Sequence, residues 1–400
     1  MLLPVLFLRR LEVLDWVAAG LLACGLACVA GGLLPTASAG AAMARIGPLL
    51  GFLASVIVLA ELTSAAEVFD SVATWVARAG RGSYTALFVL CVAFASLTTV
   101  TLNLDTTAVL LTPVMLALAG RVGIAPLPLA MTTVWLANTS SLLLPVSNLT
   151  NLLAADRVAL SPAGMARVMW APQLAAVAVT MACLWVFFWR RGRRGADRYR
   201  PPLPLRPADP VLFRICAACC GVFLLAVLLA DLPLWLASST TAAVAVVAFA
   251  VRRPAELRPS LVPWRLLVLV PGMFLVVQTV DAHGLHHLLE NAIGTDGGAA
   301  GQFRAALAGA GLSNVLNNLP VYLAGEAAVP AGNHTQLLAL LVGTNAGPVI
   351  LPWASLATLI WYERCRSFGV KVPVGRVTAA GGVLAVTAVL AATAALALTA

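Results

Sequence analysis

Apolar residues run almost unbroken through seven stretches of the chain, near 12–34, 46–63, 168–189, 211–230, 234–251, 264–281 and 375–398. Each approaches the roughly 20 residues that a helix needs to cross a bilayer. Four shorter segments come in adjoining pairs, 83–102 with 104–120 and 300–314 with 318–328, each pair parted by a few polar residues. The pattern predicts two re-entrant hairpins, over 83–120 and 300–328. The segments 126–155 and 335–362 are long but interrupted by polar residues and proline, and are predicted as broken helices. The one long polar link, "RRGRRGADRYRPPLPLRPADP" at 190–210, is rich in Arg and Pro and reads as an irregular connection between two halves.

The halves repeat one another. "NTSSLLLPVSNLTNL" from Asn138 matches "NAGPVILPWASLATL" from Asn345 without a gap, and each is preceded by a polar tip, "LNLDTT" around Asp105 or "LSNVLNNLP" around Asn317 and Asn318. Earlier still, "LLGFLASVIVLAEL" at 49–62 resembles "VPGMFLVVQTV" at 270–280. The order span, hairpin, broken helix, span recurs, with the hairpins entering from opposite sides. The expected fold is therefore an all-α polytopic membrane protein, an inverted-repeat secondary transporter with its site at the repeat interface. The expected division is an N-terminal span and loop over 1–45, a first repeat over 46–189, a linker over 190–210 and a second repeat over 211–400.

Composition fixes the solvent: 61% of residues are hydrophobic and 10% charged, with a mean hydropathy of +0.96. The net charge of +9 is then read for orientation rather than for nucleic-acid binding, because basic loops stay in the cytoplasm. With a cytoplasmic linker and two hairpins, twenty-one of the 25 basic residues fall inside, among them Arg78, Arg121, Arg252, Arg265, Arg364 and Arg376. Only Arg45, Arg157, Arg167 and Arg304 remain outside. Replacing either hairpin by a full crossing puts basic loops on the wrong side. The expected placement is the inner (plasma) membrane, multi-pass among its lipids, with the N-terminus in the cytoplasm and the C-terminus outside. Arg9 and Arg10 before an apolar run, with "ASA" at 37–39, imitate a signal peptide, but the run is too long for one and is kept as a span.

Non-helical backbone is tolerated at bilayer depth only where protein or a water-filled cavity satisfies it. Broken helices can aim amide-bearing N-termini at anions while freed carbonyls hold a cation. The candidate binding residues are accordingly those at the tips and breaks: Asn103, Asp105, Thr106 and Thr107; Asn138, Thr139, Ser140, Ser147 and Asn148; Ser313, Asn314, Asn317 and Asn318; and Thr344, Asn345, Gly347 and Ser355. Taken singly, any of these serines, threonines and asparagines serves equally well as glue between helices. Asp105 is placed as the one acidic residue deep in the bilayer, where insertion costs roughly 2.5–3.5 kcal/mol. It is the candidate proton carrier, with a cap on the second hairpin arm as its alternative role.

Other groups weigh less. "HGLHHLLE" sets His283, His286, His287 and Glu290 at helical spacing, but it falls in an expected outside loop and reads as an amphipathic surface helix. Asp231, Glu326 and Asp296 are expected in water. Cys216, Cys219 and Cys220 share a helical face able in principle to hold a soft metalloid, yet all eight cysteines lie away from tips and breaks and are assigned to packing.

"LDTTAVLLTPVMLAL", "ANTSSLLLPVSNLTNLL", "LSNVLNNLPVYLAG" and "GTNAGPVILPWASLATLIWYE" resemble the ArsB-type arsenite/antimonite permeases of the ion-transporter superfamily, over nearly the whole chain. The family's first hairpin reads Asn-Asp-Gly where Leu104, Asp105 and Thr106 stand here. The resemblance implies an inner-membrane exporter of trivalent arsenic and antimony driven by proton exchange, sometimes assisted by a soluble arsenical ATPase. Divalent-anion symporters and NhaD-type sodium/proton antiporters are similar in fold. Of the anion group's Ser-Asn-Thr signature only Ala137-Asn138-Thr139 and Thr344-Asn345-Ala346 are found.

Chemistry narrows the substrate in the same direction. The tips carry no Arg, Lys or His to pair with a dicarboxylate, whereas hydroxyls and amides suit a small polyhydroxyl solute such as neutral arsenous acid. A sodium- or proton-coupled carrier of small anions or a sodium/proton antiporter is the alternative. An intramembrane enzyme is disfavoured, since there is no second deep aspartate and no HExxH, and no cofactor is called for. A sensor lacks a soluble output domain in these 400 residues.

Overall fold

The computed structural model describes residues 13–190, 198–229, 232–294 and 297–399. Every regular element among them is helical. In chain order α1 is Val13–Ala30, α2 Thr36–Ala65 and α3 Val68–Ala79. The first hairpin is α4 Tyr84–Leu102 with α5 Leu104–Val122, and the first broken helix is α6 Pro126–Thr139 with α7 Leu149–Arg157. α8, Pro162–Leu184, closes this half. The second half comprises α9 Pro210–Leu229, α10 Leu234–Arg252, α11 Trp264–Val280 and α12 His286–Ile293. Its hairpin is α13 Gly298–Leu316 with α14 Asn318–Ala328, its broken helix α15 His334–Ala346 with α16 Leu356–Ser367, and its last helix α17 Val374–Thr399.

Among the described residues, seven helices are long and apolar enough to cross a membrane. Two start earlier than the apolar runs alone indicate. α2 begins at Thr36, because "TASAGAAMAR" is too polar for a hydropathy window yet rich in alanine, the best helix former. The expected boundary at residue 46 thus falls inside a continuous helix. α8 likewise begins at Pro162, fixed by Ser161, whose Oγ accepts from Gly164 N–H at 3.1 Å.

The two halves embrace reciprocally: α1 packs along α11, while α10 packs along α2. The approach is close enough to require glycine. A Cβ on Gly272 would overlap the backbone of Leu22, and one on Gly25 would come within 2.7 Å of Leu275 Cβ. Lipid offers no hydrophobic drive for helix pairing, so small residues that admit backbone contact set the crossing. α13 meets α15 in the same way, with Gly343 against the Ala306 carbonyl.

Both hairpins return to their side of entry. Arg121, near the end of α5, lies 3.6 Å from Asp70 and donates to Thr74 of α3, the short helix whose far end leads into α4. In the second half α12 touches both α13 and α14. It continues from α11 past a kink at His283 and Gly284, and buries Leu289 and Ile293. The residues with described side chains include no metal-binding group of His, Cys, Asp or Glu.

Charged contacts fall into two sets. At one end Arg78 donates to the Pro202 carbonyl (3.1 Å), Arg252 to Asp209 (2.7 Å), Arg265 to Asp15 (2.6 Å) and Arg376 to the Phe187 carbonyl (2.6 Å). The Arg252 guanidinium holds the Asp209 carboxyl below the usual carboxylate range. At the other end Arg45 meets Asp156 and Glu326, and Arg304 meets the Ala292 carbonyl. Every pair joins segments assigned to one side. Glu326 itself corrects an expectation: it is 4% exposed rather than solvated, because Arg45 supplies a partner from another helix. Asp231 and Asp296 lie outside the described residues, as do Arg9 and Arg10. From residue 198 the linker is irregular and lies against α3, Tyr199 donating to the Ala77 carbonyl at 2.6 Å.

Gly343→Val is expected to force α13 and α15 apart, at about 1–3 kcal/mol for overpacking a tight contact. A thermal-unfolding midpoint of the detergent-solubilised protein several degrees below the native value checks this; an unchanged midpoint contradicts the close approach.

Candidate functional site

Each hairpin turns on a single asparagine. Asn103 has φ 117° and ψ 152°, and Asn317 has φ 88° and ψ 151°. Both combine positive φ with extended ψ, a backbone region essentially confined to glycine. Each side chain repairs the break it causes. Asn103 Oδ1 accepts from the Asp105 N–H at 2.7 Å, and Asn317 Oδ1 from the Leu319 N–H at 3.3 Å. These amides, not Asp105, cap the returning arms. The alternative role for Asp105 as a cap is thereby excluded in this conformation. Its carboxylate makes no hydrogen bond with the described residues and borders a cavity of about 580 Å³.

That cavity is polar where it matters. Asp105 and Thr106 come from the first hairpin, Glu61 from α2, Asp15 from α1, Arg265 from α11, and Glu363 with Arg364 from α16. It holds four carboxyl groups against two guanidinium groups. Its mouth, formed by Ser260–Arg265 and Ser367, lies at the end carrying most of the arginines. No residue of the second hairpin is on its wall.

The broken helices stop and restart identically. Each passes through a 3-10 turn, Pro145–Ser147 or Pro352–Ala354, into an extended N-cap residue, Asn148 or Ser355. Asn148 Oδ1 accepts from the Thr150 N–H (3.3 Å) and Ser355 Oγ from the Thr358 N–H (3.1 Å). Freed groups in the breaks are taken up by neighbouring helices. Gln173 of α8 donates to the Ser140 carbonyl and accepts from the Leu142 N–H, both at 2.9 Å. Asn314 of the second hairpin donates to the Gly347 carbonyl at 2.9 Å and accepts from Ile350 and Leu351.

Between the breaks runs a buried amide ladder. Asn345 Oδ1 accepts from Asn148 (2.9 Å) and Thr150 (2.8 Å), and its amide donates to Asn151 (2.5 Å). Asn151 in turn donates to the carbonyls of Ser141 and Leu144. The repeat-related contact is Asn138 donating to Thr358 at 3.3 Å. Here the symmetry ends. Ser355 bonds to Thr358 instead of Asn138, and Asn138 Oδ1 is left buried without a protein partner. Thr106 Oγ1, on the first hairpin that packs against α6 and α16, is unpartnered too. Unsatisfied buried acceptors are rare and call for a reason.

A citrate transporter family profile matches residues 5–358. A curated arsenical pump membrane protein of Yersinia enterocolitica is 31% identical over 332 residues, covering 77% of this chain and 76% of the relative. One from Escherichia coli is 30% identical with the same coverage. The chain belongs to both groups, the citrate transporter family and the arsenical pump membrane proteins. A putative arsenical pump membrane protein of Bacillus subtilis is 24% identical over 348 residues. Among solved structures, the crystal structure of the Alcanivorax borkumensis YdaH transporter, described as having an unusual topology, matches with a TM-score of 0.57 at 14% identity. It covers 96% of this chain and 97% of that one, which establishes a shared fold.

In this family member the residues singled out from the sequence divide into three groups. Asp105 and Thr106 reach the cavity, and Asn138 keeps a free oxygen. Asn345, Asn148 and Ser355 belong to the ladder and its caps, Asn103 caps its own hairpin arm, Asn314, Asn317 and Gly347 hold the second hairpin against its break, and Ser147 ties the first break to the Val100 carbonyl of the first hairpin. The others pack or bond locally. Thr107 donates to the Asn103 carbonyl, Thr139 to Trp135, Ser140 to Leu136 and Thr344 to Leu341. Ser313 is buried without a partner, and Asn318 is buried in the tip. Sequence reasoning missed Thr150, Asn151, Thr358, Gln173 and Glu61. For Glu61 the signal was present: a lone carboxylate in "VIVLAELTS", inside the span expected over 46–63.

The unequal bonding gives a differential test. Asn345→Ala strands Asn148, Thr150 and Asn151, at about 1–3 kcal/mol for each orphaned group. Asn138→Ala, which leaves Thr358 its bond to Ser355, is expected to cost less stability but at least as much transport. Parallel melting and flux measurements check the order; equal losses in both would remove the special standing of Asn138.

Proposed function

We propose that this carrier exports trivalent arsenic and antimony, as arsenous acid and its antimony counterpart, in exchange for protons, and that Asp105 carries the proton. The observation on which this rests is the pairing of free acceptors with an acidic cavity: Asp105, Thr106 Oγ1 and Asn138 Oδ1 lack protein donors. Arsenous acid is neutral near pH 7 and brings three hydroxyl donors, which such acceptors suit. Four carboxyl groups against two guanidinium groups make a poor entrance for a dicarboxylate. The relatives' arsenical pump names agree with this reading.

Direction and energy follow from the charge bias. Basic residues cluster at the end where the cavity opens, so that end is assigned to the cytoplasm and the solute enters from there. Export of a neutral solute against one inward proton moves one charge. Across about 150 mV this supplies roughly 3.4 kcal/mol, or a few-hundred-fold gradient. The inner membrane is the assigned location, and the basic cytoplasmic face is the place for a soluble arsenical ATPase to dock. A citrate-type anion carrier is the second reading, favoured by the family profile. The arginines it requires are opposed in the cavity by carboxylates, Arg265 by Asp15 directly.

Everted vesicles are expected to accumulate arsenite when a proton gradient is imposed, with no requirement for sodium. Uptake of citrate in preference to arsenite in the same preparation would establish the second reading instead. Asp105→Asn is expected to reduce proton-driven flux at least a hundredfold while the protein still inserts. Native flux from this variant would remove Asp105 from the mechanism.

A further inference from the structure

Two of the helices that wall the acidic cavity bring opposite charges to it. On α2 Glu61 stands one turn from Ile57, and on α16 Arg364 stands one turn from Ile360; all four line the wall. On each helix the charged residue is the one nearer the basic end. α2 runs from Arg45, at the far end, toward Ala65, and α16 runs toward Ser367 at the mouth. Both helices also touch the first hairpin, whose Asp105 and Thr106 border the same space. A solute coming from the mouth therefore meets Glu61 and Arg364 before it reaches Asp105.

These two charges act on one another without touching. Elsewhere on the wall Asp15 and Arg265 bond directly, and Glu363 has a partner. The Arg364 charge reaches half-buried Glu61, yet neither side chain makes a hydrogen bond or ion pair with a described residue. Closing such a pair directly gains little where water has access. A ligand seated between the two instead makes a charge-assisted hydrogen bond to each.

We propose that Glu61 and Arg364 form a docking station for a neutral polyhydroxyl solute on its way to Asp105. Hydroxyl groups of the ligand donate to the Glu61 carboxylate, and its oxygen lone pairs accept from the Arg364 guanidinium. A dicarboxylate satisfies Arg364 but is opposed by Glu61, and a cation meets the reverse. A neutral ligand that both donates and accepts gains from both, so the pair selects as well as binds. The assignment rests on the reading of arsenous acid as the cargo.

Arsenite uptake by everted vesicles, measured against arsenite concentration with and without citrate, tests the station. Glu61→Gln and Arg364→Gln are each expected to raise the half-saturating arsenite concentration about fivefold or more, for one charge-assisted hydrogen bond lost at a wet site. Glu61→Gln leaves the guanidinium unopposed and is expected to make uptake sensitive to citrate. The native protein and Arg364→Gln are expected to stay insensitive, a contrast that a merely structural role of the pair would not produce. Where Glu61→Gln fails to insert, the shift in Arg364→Gln, an exposed position, decides alone. Unchanged half-saturation in inserted variants, or equal citrate sensitivity in both, overturns the station and leaves the export reading standing. Native vesicles that take up no arsenite overturn the export reading and the station with it.

Discussion

Everything in this protein depends on satisfying backbone groups where helices stop inside the membrane. Lipid supplies no hydrogen bonds, so each freed N–H or carbonyl needs a partner from the chain itself. The four interruptions meet this need with side-chain amides and hydroxyls. Asn103 and Asn317 turn the hairpins and cap the returning arms; Asn148 and Ser355 restart the broken helices; Gln173 and Asn314 reach in from adjacent helices. Remove that chemistry and the polar tips become too costly to bury.

Satisfaction is incomplete around these interruptions. At the second break Asn314 is fully engaged and Asn345 holds three partners. The first half leaves Asp105, Thr106 Oγ1 and Asn138 Oδ1 unfilled. The two repeat-related breaks are thus bonded unequally. In the second hairpin Leu319 follows the tip at the place where Asp105 stands in the first, so the acidic group belongs to the first tip alone.

The same economy explains the charges. A membrane protein places few ionisable groups in its interior and pairs or hydrates those it keeps. Here Arg45 neutralises buried Glu326, Arg265 neutralises Asp15, and Glu61 shares an open cavity with Arg364. None of these partners is near the other in sequence. They meet because α2 and α11 run antiparallel through the molecule and present opposite ends to opposite faces.

What the sequence by itself determined was the architecture. Apolar runs of spanning length, the gapless match from Asn138 and Asn345, and the sorting of arginines required hairpins, breaks and inversion, because each follows from periodicity, length and transfer cost along one dimension. Helix starts at Thr36 and Pro162 escaped, since alanine-rich and proline-capped turns carry no hydropathy signal. Only the tertiary structure decided which polar residues are bonded within the protein and which keep an unpartnered group. Thr139 and Thr107 look as functional in sequence as Thr106 does, and Glu326 looks solvated until Arg45 arrives from a helix far away in the chain. A donor's partner is a matter of three-dimensional distance, and composition does not record it.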